Sequence, residues 1–166
     1  MESLAVAFAN TLGKYVAKEV VVFIISMIPI LELRGGLIVA SLLQVPITTA
    51  IPFCIIGNII PIPFILLFIK QVFKWLKKIK LFQGIIEKLE NRAMGKSDSI
   101  KKYEFWGLVL FVGIPLPGTG AWTGSLIAAL LDIDLKKAIL AELLGIAIAT
   151  IIMSVFSYGL LGALLG

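Results

Sequence analysis

Two ionisable side chains, Glu32 and Arg34, stand two residues apart inside the apolar run SMIPILELRGGLIVASLL, residues 26–43. A charge in such surroundings is expensive unless it is paired, hydrated or turned into a cavity. The pair therefore marks either a neutralising bridge or a binding site. On one helix, residues two apart face away from each other. This run resists being one helix: Pro29 removes a backbone donor, and Gly35 and Gly36 each cost roughly 1 kcal/mol against alanine. The expectation is two half-helices meeting at a polar break, where both side chains point into one cavity. Arg34 would hold an anionic head group or counter-ion there, and Glu32 would take up and release a proton. The alternative is a single tilted helix over 20–43 with Glu32 paired to Arg34 at its middle.

A second stretch repeats the pattern. Residues 114–124, IPLPGTGAWTG, hold two prolines and three glycines and cannot form continuous helix. Its candidate ligands are Pro117, Gly118, Thr119, Gly120, Trp122, Thr123 and Gly124. The return arms are expected to begin at Gly36 and Gly124, presenting free N–H groups and positive dipole ends that favour an anion. Thr119, Thr123 and Ser125 would cap or donate, and Trp122 would pack on the facing break or on a substrate tail. Glu142 lies on a face of small residues, Ala138, Gly145 and Ala149, at helical spacing, which allows close packing. It is either a snorkelling interface residue or part of the site. Asn58 sits among Pro52, Pro61 and Pro63, whose kinks free carbonyls for a ligand. The chain has no histidine, one cysteine (Cys54) and no nucleophile or nucleotide motif, so no enzyme, cofactor or metal is expected.

The elements that must position these residues are membrane elements. With 166 residues, 60% of them hydrophobic, and a mean hydropathy of +1.07, the chain is too apolar for an ordinary soluble domain. GLIVASLLQVPITTAI (36–51) aligns with GSLIAALLDIDLKKAI (124–139) at an offset of 88, which also matches Gly57 with Gly145; Ile28-Pro29 matches Ile114-Pro115 at 86. The fold class expected is all-α and integral to the membrane. Two inverted repeats, 20–69 and 104–166, each consist of a re-entrant helical hairpin followed by a transmembrane helix. Residues 1–19 read as an amphipathic helix at the interface, with no cleaved signal peptide. Residues 70–103 form the joining linker, where ten of the fifteen basic residues face three acids and alternate with apolar positions at helical spacing. Such a segment suits an anionic membrane surface better than nucleic acid. The positive-inside rule makes it cytoplasmic, and Lys136 and Lys137, standing where the first copy has Thr48 and Thr49, agree with inversion.

PILELRGG together with PLPGTGAWTGSLIAALL strongly resembles the bacterial and archaeal small multidrug export family, a distant relative of the DedA superfamily. The resemblance spans roughly 20–160 and implies two facing re-entrant hairpins in a transporter; its DedA side implies proton-linked or lipid-carrier transport. DedA-type proteins place acids in the first hairpin and arginines in the second. Glu32 fits, whereas residues 118–124 contain no arginine. The function expected is a small secondary transporter or lipid flippase, a homodimer in the inner membrane, in contact with lipids and an amphipathic or anionic substrate. The rival is a non-transporting structural or assembly protein whose broken helices serve oligomer packing. A cysteine placed in the 70–103 linker of a Cys54→Ala background should be labelled by an impermeant maleimide only from the cytoplasmic side. Labelling from outside intact cells would reverse the orientation.

Overall fold

The computed structural model describes residues 17–160, and their regular structure is entirely helical. The interfacial helix expected over 1–19 lies, apart from its last three residues, outside them. In chain order the helices are α1 (Lys18–Met27), α2 (Glu32–Leu42), α3 (Ile47–Ile59), α4 (Pro61–Leu76), α5 (Lys80–Met94), α6 (Asp98–Gly113), α7 (Ala121–Leu130) and α8 (Leu135–Ser154). A π-helical segment, Val155–Leu160, extends α8.

Two of these runs are long enough to cross a membrane, which takes about 20 residues. α3 and α4 join into Ile47–Leu76, 30 residues containing an 18-residue stretch of mean hydropathy 2.3, and α8 with its extension forms Leu135–Leu160, 26 residues containing one of 2.4. By length and composition both are candidate membrane spans. Pro61 is tolerated at the start of α4, where its missing N–H would be unpaired in any case. The first crossing continues past the expected end at 69, because Val72, Phe73, Trp75 and Leu76 prolong its apolar stripe to Leu76. The expected linker is thus divided between the end of α4, the whole of α5 and the start of α6.

α1, α2 and α7 have 10, 11 and 10 residues. At 1.5 Å per residue each is about 15 Å long, half of a hydrocarbon core of about 30 Å. α6 is longer but kinks at Glu104, where φ is 39°. The four arms meet in pairs at residues 28–31 and 114–120, the two breaks anticipated from proline and glycine.

One expectation is corrected. The return helices start at Glu32 and Ala121, upstream of Gly36 and Gly124, so these glycines lead no helix. The Gly35 N–H donates to Leu31 O at 2.7 Å and the Gly124 N–H to Gly120 O at 2.8 Å. What Gly36 and Gly124 supply is room. A Cβ at 36 would overlap Ser26 Oγ and Cys54 Sγ, and one at 124 would press on Val112, Glu142 and Leu108.

The two halves share details that no apolar repeat requires. Each return helix ends in the same six-residue cap: Gln44 and Asp132 both have φ 56°, and the amides of Val45 and Ile133 reach back to Ala40 O (2.9 Å) and Ala128 O (3.0 Å). α1 packs closely on α3 as α6 does on α8. Both crossings are made over glycine: a Cβ on Gly57 would lie 2.5 Å from Phe23 O, and one on Gly145 would lie 2.6 Å from Val112 Cβ and 3.0 Å from Val109 O. The small-residue face of α8 is buried, with Ala138, Glu142, Gly145 and Ala149 all turned inward. α2 lies against α3 and α8, α7 against α4, α6 and α8, so both half-helices run through the shared core around Leu37, Leu108, Ile127 and Ile146.

α5 keeps Ile86 and Ala93 buried and leaves Leu81, Ile85 and Leu89 exposed beside its lysines, with Lys77 bridged to Glu90. Gly57→Ala and Gly145→Ala should each lower stability by about 1–3 kcal/mol, since backbone must move to admit the methyl group. Gly84→Ala, where nothing lies within 4 Å, should be neutral or slightly stabilising. Thermal unfolding of the three purified variants checks this.

Candidate functional site

Break two is an open length of backbone in which Val112, Ile114, Leu116, Gly118 and Thr119 turn carbonyls away from any helix, while Ala121 and Trp122 begin α7 with unpaired N–H groups. Groups of this kind must be satisfied by protein when the surroundings are apolar. The protein does so largely with the two charges in the first turn of α2, just past break one.

Glu32 is buried and accepts from both leading amides of α7: the Ala121 N–H reaches Oε2 at 3.0 Å and the Trp122 N–H reaches Oε1 at 2.9 Å. The carboxylate sits at the positive end of the helix dipole. Gly120, at φ 129°, makes the space, since a Cβ there would collide with the carboxylate. Glu32 itself is held at φ 50°, a left-handed conformation costing a non-glycine residue about 1–3 kcal/mol. Its two charge-assisted hydrogen bonds offset that strain.

Arg34 grips the opposite end. Nη1 donates to Leu116 O and Thr119 O, both at 3.0 Å, and Nη2 donates to Val112 O, Ile114 O and Thr119 Oγ1, each at 3.1 Å. The guanidinium thus caps the negative end of α6 and the turn beyond it. Lys96 adds a second cation on Gly118 O at 2.8 Å. In return, the Trp122 indole N–H donates to Met27 O at 3.1 Å, at the C-terminal end of α1. Trp122 lies 88 residues after Arg34, so side chains at corresponding positions cross to the opposite break.

The chain matches the family model described as "Putative small multi-drug export protein" over residues 32–152, a span that opens on Glu32 at the start of α2 and holds break two. The chain belongs to this family. No curated protein and no solved structure matches it. The family's name points to export, in keeping with a transporter.

Within this family member, the sequence-derived candidates separate into those at the breaks and those away from them. Glu32, Arg34, Gly118, Thr119, Gly120 and Trp122 are joined by the bonds just given, and Thr119 Oγ1 also donates to Leu116 O at 2.8 Å. Glu32 and Arg34 form no ion pair with each other; each serves a different helix end. The anion expected at the start of the second return arm is already present as Glu32. Gly35 and Gly36 are interior to α2, and Gly124 is interior to α7. Thr123 makes no side-chain hydrogen bond, and Ser125 donates to Glu142 Oε1 at 3.0 Å rather than capping α7. Glu142 is fully buried on α8 and does not snorkel. Asn58 is buried on α3 with Oδ1 unpartnered, and no hydrogen bond ties it to either break.

Pro117 belongs to a different feature, an apolar cavity of about 270 Å³. Its walls are Leu31, Arg34 and Ile38 from the first hairpin, Pro115 to Pro117 from break two, and Met153 and Phe156 from the second crossing. The last wall was not anticipated from sequence. Phe156 is set by the π-helical turn, which is pinned by Tyr158 OH donating to Val45 O at 2.8 Å and by Ser41 Oγ donating to Ser157 O at 2.7 Å. Single π turns of this type recur at functional sites and carry no simple sequence signature.

Because Glu32 and Arg34 serve separate helix ends, losing one should not rescue the loss of the other. Glu32→Gln and Arg34→Ala should each destabilise by about 2 kcal/mol or more, and the double variant should be less stable than either. Recovery of stability in the double variant, measured by thermal unfolding, would show instead that the two residues neutralise each other.

Proposed function

We propose that this protein is a small secondary transporter for amphipathic molecules, which seat an apolar body in the cavity beside Arg34 between the two broken helices. The observation that carries the reading is the cavity itself. It is concave and apolar, has one cationic wall, and lies where two discontinuous half-helices and a π turn converge, the usual situation of transporter sites. Its volume is near the lower end for small-molecule pockets, which favours a compact amphipathic substrate over a whole phospholipid. An anionic group would gain from the Arg34 charge, but both terminal nitrogens of the guanidinium already donate to carbonyls, so the apolar contact dominates.

The architecture we infer is a pair of inverted repeats with re-entrant hairpins. It is supported by arms of half-membrane length, matching caps at Gln44 and Asp132, and matching glycine crossings at 57 and 145. The same reading sets the protein in the inner membrane as a multi-pass homodimer. The basic amphipathic α5 then rests on the cytoplasmic leaflet, its lysines near anionic lipid and its Leu81, Ile85 and Leu89 in the interface.

Leu116 is exposed and lines the cavity, so Leu116→Trp fills the space without disturbing the core. Flux of a lipophilic dye in proteoliposomes should fall roughly tenfold or more, the effect of losing about 1.4 kcal/mol of binding, with unchanged thermal stability. Wild-type protein that moves no member of a broad panel of lipophilic dyes would favour the assembly role instead.

A further inference from the structure

We propose that Glu142, hydrogen-bonded to Ser125, is the site at which a proton is taken up and released as this protein transports. The inference rests on the transporter reading above and supplies its coupling ion. Glu142 is fully buried in the middle of the small-residue face of α8. Ser125 Oγ donates to its Oε1, while Oε2 has no partner among the described residues. No lysine or arginine forms an ion pair with it among the described residues.

The charged and titratable groups of its neighbours are all committed elsewhere. α7 has none. α2 contributes Glu32 and Arg34, both bonded across break two. On α6, Asp98, Lys101, Lys102, Tyr103 and Glu104 are exposed near its start, as are Lys136 and Lys137 at the start of α8. α3 brings the buried thiol of Cys54, α4 the exposed Lys70 and Lys74, and the π segment Tyr158, bonded to Val45 O. A carboxylate here would hold a full charge against no cation, with one oxygen lacking any donor. A carboxylic acid is neutral. Enclosure and charge at Glu142 therefore exclude each other, and alternating exposure makes it a carrier: an O–H bond forms with a proton from water on one side and breaks to give that proton to water on the other.

The opposite half shows that packing does not demand a carboxyl. Gly36 is cradled by Ser26 and Cys54 as Gly124 is by Val112 and Glu142, and Cys54 precedes Glu142 by the repeat offset of 88. A thiol fills the first slot. The placement of the acid in the second slot also puts it where it can act on the site. Glu142 holds Ser125 one turn below the amides that Glu32 holds, so both acids grip the same half-helix, which continues directly from break two, whose Pro115 to Pro117 line the cavity. Glu32 is the poorer carrier, since both its oxygens accept from backbone.

Infrared difference spectra between acid and alkaline pH, taken on the reconstituted full chain, should contain the high-frequency C=O band of a dry carboxylic acid. The band should vanish in Glu142→Gln and in Glu142→Cys, which copies the opposite slot, and remain in Glu32→Gln. In proteoliposomes, Glu142→Gln should lose the acceleration of dye flux by a pH gradient. A band that survives both Glu142 substitutions, or pH-driven flux that survives Glu142→Gln, would overturn the proposal and leave the transporter reading intact. Absence of any dye flux in the wild type would overturn the transporter reading, and the infrared band would still decide whether Glu142 exchanges a proton.

Discussion

A helix that stops inside hydrocarbon exposes four amides at one end and four carbonyls at the other, and water is not there to bind them. The rest of this structure depends on how break two meets that constraint. It borrows side chains from the first turn of α2: Glu32 for the amides of α7, Arg34 for the carbonyls of α6 and the turn. Each charge meets the helix end of opposite sign, so dipole and hydrogen bond act together. Break two is satisfied only with the help of the first half, and the tips are consequently tied to each other across the centre of the fold.

The two halves use one backbone plan with different chemistry at corresponding positions. Arg34 and Trp122 both reach from a return helix to the end of the opposite descending arm, one with a cation and one with an indole N–H. Cys54 and Glu142 fill corresponding slots beside Gly36 and Gly124. The charge is concentrated in one member of each pair, which makes the site asymmetric. The proposed transport reading uses that asymmetry, with the cavity beside Arg34 and the acid at Glu142 each on one side of the fold only.

Both breaks, the offset of 88 and the membrane character were legible because proline, glycine and apolar runs act locally and leave marks in sequence. The glycines at 57 and 145 were legible as repeat positions, though their reason, contact with the backbone of α1 and the packing of α6, belongs to tertiary structure. The start of the return helices was misplaced at Gly36 and Gly124, since the true starts are set by a partner 89 or 90 residues away in sequence. The left-handed caps at Gln44 and Asp132 lack the glycine that normally announces them. The roles of Glu32 and Arg34 were read as ligand and proton chemistry because their types fit it. Which atoms they would meet depends on the apposition of two distant loops, and the cavity wall at Phe156 depends on a π turn held from α2 and the turn that follows it.

Amide hydrogen exchange at Ala121 and Trp122 tests most directly whether the carboxylate of Glu32 holds the second half-helix in place. In the reconstituted wild-type protein both amides should be strongly protected, although neither donates to a backbone carbonyl. In Glu32→Ala their protection should collapse while that of Gly124, which donates to Gly120 O, persists. Unchanged protection at Ala121 and Trp122 in Glu32→Ala would contradict the account.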